Sequence, residues 1–189
     1  MKLKPIIAAM PIMFTLLTGC TTDPQTHTMS MQSPFHSAAQ NAATNGEIVE
    51  RIIALDQAEI ATTHYAAIKA RHPKVRHFAA FLHHAHEKNL HQIRQFSHKH
   101  NIAPVENAVA NDIKRQGQQE LAELKTLAHI DKVFIKDMIH DHEGALNLLD
   151  RALMQSTNIQ LTAHLKELRH HVAEHLHKAE MLQKELNLN

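Results

Sequence analysis

Four polar residues interrupt apolar stripes of the sequence, at positions where the helical period calls for a core side chain. They are Glu59, His86, His142 and His175, and each stands among apolar residues spaced three or four apart. An ionised carboxylate inside an apolar core costs several kcal/mol unless it is paired, so Glu59 needs a partner. Imidazole and carboxylate groups bind Zn, Cu, Fe and Mn, which makes the four residues a candidate transition-metal site. The alternative is a metal-free, hydrogen-bonded polar layer in which a protonated histidine balances Glu59.

Further polar residues close in sequence to this set are candidates for an outer shell around the metal. His140 and Asp141 directly precede His142. His171 lies one helical turn before His175, and the two rings could bind one ion together. The Glu-x-x-His pair of the last helix lies off the core stripe, which argues against a di-iron arrangement and against oxidase activity. We therefore predict no catalytic residues.

Histidine is unusually abundant, with 19 residues among 189. Four of them, His77, His84, His91 and His98, recur every seven residues on a face away from the core stripe. We interpret that face as a solvated one; a column of weak metal sites or a pH-responsive surface is the alternative. Because imidazole titrates near a pKa of about 6.5, mild acid should change the charge of this chain strongly. The chain has 20 Lys and Arg residues and 19 acidic residues, so it lacks the excess of positive charge that is typical of nucleic-acid-binding proteins.

The N-terminus has the layout of a secretory signal, with Lys2 and Lys4 before an apolar run over 5–17. This run is too short for a spanning helix. The segment 17–20, Leu-Thr-Gly-Cys, resembles the lipobox of bacterial lipoproteins, which implies removal of residues 1–19 and lipidation of Cys20. The resemblance, with Thr21 in place of the retention signal Asp, implies an outer-membrane lipoprotein of the cell envelope that faces the periplasm. The alternative is an ordinary secretory signal with a chance cysteine.

Lipidation would consume the single cysteine of the chain. The mature protein would then contain no disulfide, no thiolate metal site and no cysteine nucleophile. The membrane, through the lipid on Cys20, is the one partner that the sequence predicts. It does not identify a protein partner.

The rest of the chain divides into a tether and one domain. Residues 20–45 are polar and without a sustained period, which predicts a flexible tether. Residues 46–189 contain few glycines and prolines and much Ala, Leu, Glu, Lys and Gln, which favours helices. Long helices are predicted over about 47–71, 73–100 and 160–186, together with one that starts near Asp131. A further helix is predicted over about 105–128, although Gly117 makes its helical pattern weaker.

The lengths of the connections predict how these helices pair. The links near 72 and 158 are tight, whereas the connection over 101–130 is long. Two antiparallel hairpins joined in this way form an all-α, ferritin-like four-helix bundle with a long crossover between its second and third helices. An up-down-up-down bundle remains the alternative if 105–128 is itself the third long helix.

The helical rise then predicts that the four polar residues lie at similar depths. At 1.5 Å per residue, Glu59 and His86 lie about 20 Å from the turn near 72. His142 and His175 lie about 25 Å from the turn near 158. The two levels agree within about one helical turn of 5.4 Å.

The domain resembles DUF4142, a bacterial family of ferritin-like exported or outer-membrane proteins whose domain has no assigned function. The matching segments include VRHFAAFLHHAHEKNL (75–90), FIKDMIHDHEGALNLL (134–149) and LKELRHHVAEHLHKAEML (165–182). The resemblance implies a glutamate in the first helix and one histidine in each later one, matching Glu59, His86, His142 and His175. An acidic residue commonly precedes the second-helix histidine in that family, and here Ala85 takes its place.

The segment MIHDHEGA (138–145) is also similar to a signature of a family associated with copper handling, with Asp141 in place of one of its two adjacent histidines. Neither resemblance implies an established reaction. The sequence thus predicts a lipid-anchored bundle that binds Zn, Cu, Fe or Mn and serves metal buffering or envelope stress tolerance. The alternative is a non-catalytic envelope module with a metal-free polar core and a pH-responsive histidine surface.

Overall fold

A computed structural model describes residues 44–188 as five helices. These are α1 (Asn45–Lys69), α2 (Pro73–His100), α3 (Ala108–Thr126), α4 (Asp131–Gln155) and α5 (Ile159–Glu185). This part of the chain contains no strand, which confirms the predicted all-helical bundle. The predicted signal peptide, Cys20 and nearly all of the tether lie outside the described residues. No helix within 44–188 combines the length and the apolarity that crossing a membrane requires.

Local side-chain interactions explain where the helices begin and end. Thr44 and Glu47 form a capping box at the start of α1, each side chain bonding to the other's backbone N–H. Pro73 occupies the first turn of α2, where its missing N–H costs nothing. Asn101 ends that helix in the left-handed region, with φ of 53°. The Asp131 carboxylate does not cap its own helix but accepts bonds from backbone N–H groups in the α1–α2 turn, at 2.6 and 3.1 Å.

The helices form two hairpins with a helical crossover between them. Helix α1 packs against α2, and α4 packs against α5, as the short connections predict. Helix α3 belongs to the crossover and packs mainly on α1. Gly117 makes this contact possible, because a Cβ atom there would lie 2.5 Å from Cβ of Ala58. The residue that weakens the helical pattern is therefore the one that lets α3 approach α1.

The apolar core is divided along the bundle into two large clusters. One contains Leu82, Phe134, Met138 and Ala179, and the other contains Ile52, Ile93, Leu149 and Leu165. On each of the four long helices, the candidate polar residue lies between the segments that contribute to these clusters. A buried polar layer thus separates two apolar halves of the core.

Candidate metal centre

Three of the predicted ligands converge inside the bundle. His86 on α2, His142 on α4 and His175 on α5 are all buried, and one ring nitrogen from each lies within 4.8 Å of the others. The ring centroids are 5.5 to 5.8 Å apart. We call these residues the histidine trio. Their convergence agrees with the similar depths that the sequence predicts for these three side chains.

Each member of the trio has a buried ring nitrogen with no hydrogen-bond partner among the described residues. These atoms are Nε2 of His86, Nε2 of His142 and Nδ1 of His175. The Nδ1–H group of His142 donates a hydrogen bond to the backbone carbonyl oxygen of Met138 at 2.7 Å, so Nε2 of that ring carries a free lone pair. Buried polar atoms rarely lack partners, and unpartnered nitrogens on three neighbouring rings have the donor chemistry of a metal site.

Asp56 is a functional residue that the sequence analysis missed. Its carboxylate is buried on α1 and accepts a hydrogen bond from Nδ1 of His86 at 3.0 Å. The side-chain amide of Asn89 donates to the other carboxylate oxygen at 2.6 Å. Asp56 thus orients the His86 ring from the facing helix. Its place one turn before Glu59 on the buried side of α1 is the signal that could have identified it.

The three histidines of the trio differ in the direction of their pKa shifts. Burial acts to lower the pKa of His86, but its hydrogen bond with Asp56 and the negative charges of Glu59 and Asp56 outweigh that effect and raise the pKa. Burial, followed by the positive charge of His86, lowers the pKa of His142 to about 3. Burial is also the main cause that lowers the pKa of His175 to about 3, and the positive charge of His86 is again the second. His142 and His175 are therefore neutral at pH 7, the form in which imidazole binds metals.

Glu59 is buried beside the trio but does not belong to the set whose ligand atoms lie within 4.8 Å of one another. It lines a small cavity between α1, α3 and α4 together with Glu120 and Asp141. Burial raises the pKa of Glu59 to about 7, with the charge of His86 opposing the shift and that of Glu120 adding to it. The predicted glutamate is thus close enough to influence His86, and it also faces a second group of acids.

The predicted outer-shell residues lie in three different places. Asp141 lines the cavity next to Glu59, and burial raises its pKa well above the usual range. His140 is exposed to solvent. His171 is also exposed, with its ring nitrogens 3.9 Å from the carboxylates of two surface glutamates. The heptad histidines of α2 are exposed as well, which confirms the predicted solvated face.

A cleft of about 430 Å³ between α2 and α5 is lined by His86 and His175, two members of the trio. Phe81, His171 and Lys178 are among the other residues that line it. The Phe81 ring contacts His175 edge-on, with centroids 5.3 Å apart. Two of the three rings of the trio thus border a cleft whose volume is in the range of small-ligand sites.

The sequence profile of one protein family, described as a domain of unknown function (DUF4142), matches residues 30–182. No curated protein and no solved structure is significantly similar to the chain. The matched region includes Asp56, Glu59 and the whole histidine trio. Because the match covers most of the sequence, the chain belongs to the DUF4142 family.

Proposed function

We propose that this protein is an exported, lipid-anchored helical bundle that binds one transition-metal ion through its histidine trio. The observation that supports the proposal best is the histidine trio itself: three buried rings with one nitrogen each within 4.8 Å of the others, and each ring with a buried nitrogen that has no partner among the described residues. Burying three such atoms without a ligand would cost free energy at each of them. A bound metal ion would satisfy all three together. Metal buffering or envelope stress tolerance is the role we propose for such a protein.

The donor set favours a borderline metal ion over a hard one. Neutral imidazoles suit Zn²⁺, Cu²⁺ and Fe²⁺, whereas Mn²⁺ prefers oxygen donors. The Asp56–His86 pair has the arrangement of the carboxylate–histidine–metal triads in which an outer carboxylate orients a ligand and raises its basicity. Three protein ligands leave a coordination position for Glu59 or for a molecule that arrives through the cleft.

Metal analysis of the full chain, purified in detergent without chelators, tests this proposal. We expect about one equivalent of transition metal in the wild type and its loss in His142→Ala. His164→Ala is the matched control, because His164 is a part-buried histidine of α5 outside the trio with an unpartnered Nε2 of its own. Circular dichroism would check that each variant keeps its helices. Wild-type protein with far less than one equivalent of metal would contradict the proposal.

A metal-titrated melting curve provides the second measurement. Metal at a hundredfold excess over its dissociation constant should stabilise the chelator-treated protein by about 2.7 kcal/mol. For a domain of this size, that is a rise of roughly 5 to 10 °C in the melting temperature. Added Zn²⁺ or Cu²⁺ that leaves the wild-type curve where it was would also count against a metal site.

The lipid anchor is a separate part of the proposal. Lipidation at Cys20 predicts that the wild type incorporates labelled palmitate and sediments with the outer-membrane fraction. Cys20→Ser should lose both properties while its core metal content stays the same. Label in the variant, or a soluble wild type, would contradict the anchor without affecting the metal centre.

The second candidate is a non-catalytic envelope module whose polar layer needs no metal. The hydrogen bond between Asp56 and His86 favours it, because a buried carboxylate can hold a protonated imidazole as an ion pair. In that case Asp56→Asn would destabilise the protein, whereas chelators and added metals would leave its melting temperature unchanged. The metal titration therefore distinguishes the two functions.

A further inference from the structure

The preceding chain enters the bundle at the end where α1 begins. Asn45 starts α1, and its side-chain amide donates a hydrogen bond to the Thr157 hydroxyl at 3.0 Å and accepts one from the Thr157 backbone N–H at 3.1 Å. The crossover loop lies there too, because the backbone N–H of Val105 donates to the carbonyl oxygen of Gly46 at 3.0 Å. We call this region the proximal end, which contains the start of α1, the end of α2 with the loop that follows, and the α4–α5 turn: residues 44–47, 94–107 and 154–160.

The proximal end presents apolar side chains to solvent. Met154 and Ile159, on the two sides of the α4–α5 turn, are 78% and 79% exposed, more than any other large hydrophobic side chain within residues 44–188. Val105 in the crossover loop is 46% exposed. Single exposed apolar residues are normal on a protein surface, but two beside one short turn form an apolar tip. Transfer of such a tip out of water is favourable.

Two basic residues near the end of α2 add positive charge to the proximal end. Arg94 and Lys99 are exposed, and no acidic residue within 44–188 lines the two shallow surface depressions that they border. Lys and Arg near the surface of a membrane are attracted to anionic phospholipids. An apolar tip beside exposed basic residues is the combination that favours binding to an anionic bilayer surface.

The acidic residues of the proximal end are engaged with other groups of the protein. The Glu47 carboxylate accepts a hydrogen bond from the Thr44 backbone N–H in the capping box. The Glu106 carboxylate pairs with the Lys114 ammonium, with Oε1 and Nζ 2.8 Å apart. Repulsion between these acids and anionic lipid is therefore reduced, and Arg94 and Lys99 keep their charges available.

The proposed lipid anchor would hold the proximal end close to the membrane. Residues 21–43, a stretch of 23 residues, separate Cys20 from the bundle, and the sequence predicts a flexible tether there. A flexible chain of that length has a root-mean-square end-to-end distance of about 24 to 29 Å. Helix α2 has 28 residues and is about 42 Å long. Contact through the opposite end would thus hold the start of α1 farther from the bilayer than the tether spans on average.

We propose that the proximal end docks on the surface of a phospholipid bilayer that contains anionic lipids. Met154 and Ile159 would enter the headgroup region, and Arg94 and Lys99 would lie beside lipid phosphates. The inference rests on the proposed lipid anchor at Cys20 and is independent of the metal centre. Docking of this kind fixes the orientation of the bundle, with the α1–α2 turn directed away from the membrane.

Site-specific fluorescence of the full, lipidated chain in vesicles tests the inference. Because the chain has one cysteine and lipidation consumes it, Met154→Cys supplies a single thiol for an environment-sensitive dye. In vesicles of phosphatidylcholine and phosphatidylglycerol, we expect blue-shifted emission and quenching by nitroxide-labelled lipid at least about twofold stronger than at a control position. Ile68→Cys is the matched control, since Ile68 is an apolar residue of α1, 61% exposed, at the opposite end of the bundle. Ile159→Cys provides a second test position.

Two changes should weaken the docked state by removing its electrostatic part. Phosphatidylcholine vesicles without anionic lipid should reduce the quenching of the dye at position 154. Arg94→Gln combined with Lys99→Gln should have the same effect in the mixed vesicles, because each substitution removes a charge that faces the lipid. Quenching that neither change reduces would contradict the proposed role of these two residues.

Incorporation of labelled palmitate into the same preparations separates this inference from the anchor. A lipidated wild-type background in which positions 154 and 159 are quenched no more than position 68 would overturn the inference and leave the anchor standing. A blue shift that grows with protein concentration in Cys20→Ser without vesicles would indicate contact between copies of the chain, and it would also overturn the inference. A chain that carries no lipid would overturn both proposals.

Discussion

Replacing Asp56 by asparagine should weaken Zn²⁺ binding at the histidine trio, although Asp56 is not itself one of the three ligands. Its carboxylate accepts hydrogen bonds from two donors, the Nδ1–H of His86 at 3.0 Å and the amide of Asn89 at 2.6 Å. An asparagine side chain of the same shape has a single carbonyl oxygen and cannot accept from both in this geometry. The His86 ring would lose its orienting anion, its pKa would fall, and its Nε2 would become a poorer ligand.

The size of the effect follows from the kind of interaction that is lost. A hydrogen bond to a charged group contributes about 1.5 to 3 kcal/mol. Outer-shell carboxylates of metal-bound histidines typically account for 10- to 100-fold in affinity, or about 1.4 to 2.7 kcal/mol. The two values agree, so the dissociation constant for Zn²⁺ should rise by between about 10- and 100-fold.

Competition with a chromophoric chelator measures this change, using the full chain in detergent. Glu50→Gln is the matched control, because Glu50 is another buried acid of α1. Its carboxylate pairs with the Lys114 ammonium, with Oε1 and Nζ 2.6 Å apart, and not with a histidine of the trio. That variant should lose stability and keep its affinity for Zn²⁺. The reasoning is refuted if Asp56→Asn binds Zn²⁺ as tightly as the wild type while His142→Ala has lost it.

Two further predictions concern stability in chelator-treated protein. Burial raises the pKa of Glu59 to about 7 from an ordinary value of 4.5, so ionisation of this group lowers the free energy of unfolding increasingly as pH rises from 4.5, and the loss is complete above pH 7. Glu59→Gln should therefore raise the free energy of unfolding by up to about 3 kcal/mol at pH 8 and by little at pH 4. Urea titrations at both pH values measure this difference, and an equal gain at both would show that the charge is not the cause. Gly117→Ala should destabilise the protein by about 1 to 3 kcal/mol, because the new Cβ would meet Ala58 at 2.5 Å, despite alanine's better helix propensity. The same denaturation assay on Gln118→Ala, at the exposed neighbouring position, should show no loss, and a stabilised Gly117→Ala would mean that α3 is not held close to α1.

The sequence alone determined the features that depend on local interactions. Apolar periodicity and the scarcity of glycine and proline predicted all five helices within a few residues, including α3. The constant rise of the helix then placed His86, His142 and His175 at depths that agree within about one helical turn, since the depth of a side chain below a turn depends only on counting residues. The ferritin-like relationship and the lipid anchor stay predictions.

Only the tertiary structure decided which polar groups meet across helices. Asp56 supplies the partner of His86 from the facing helix, and periodicity within one helix carries no information about that contact. Glu59 has the predicted depth, but its side chain faces Glu120 of α3 and Asp141 of α4 because the crossover helix packs closely at Gly117. Helical repeats specify how deep a residue lies, whereas the rotation and approach of neighbouring helices specify what it touches.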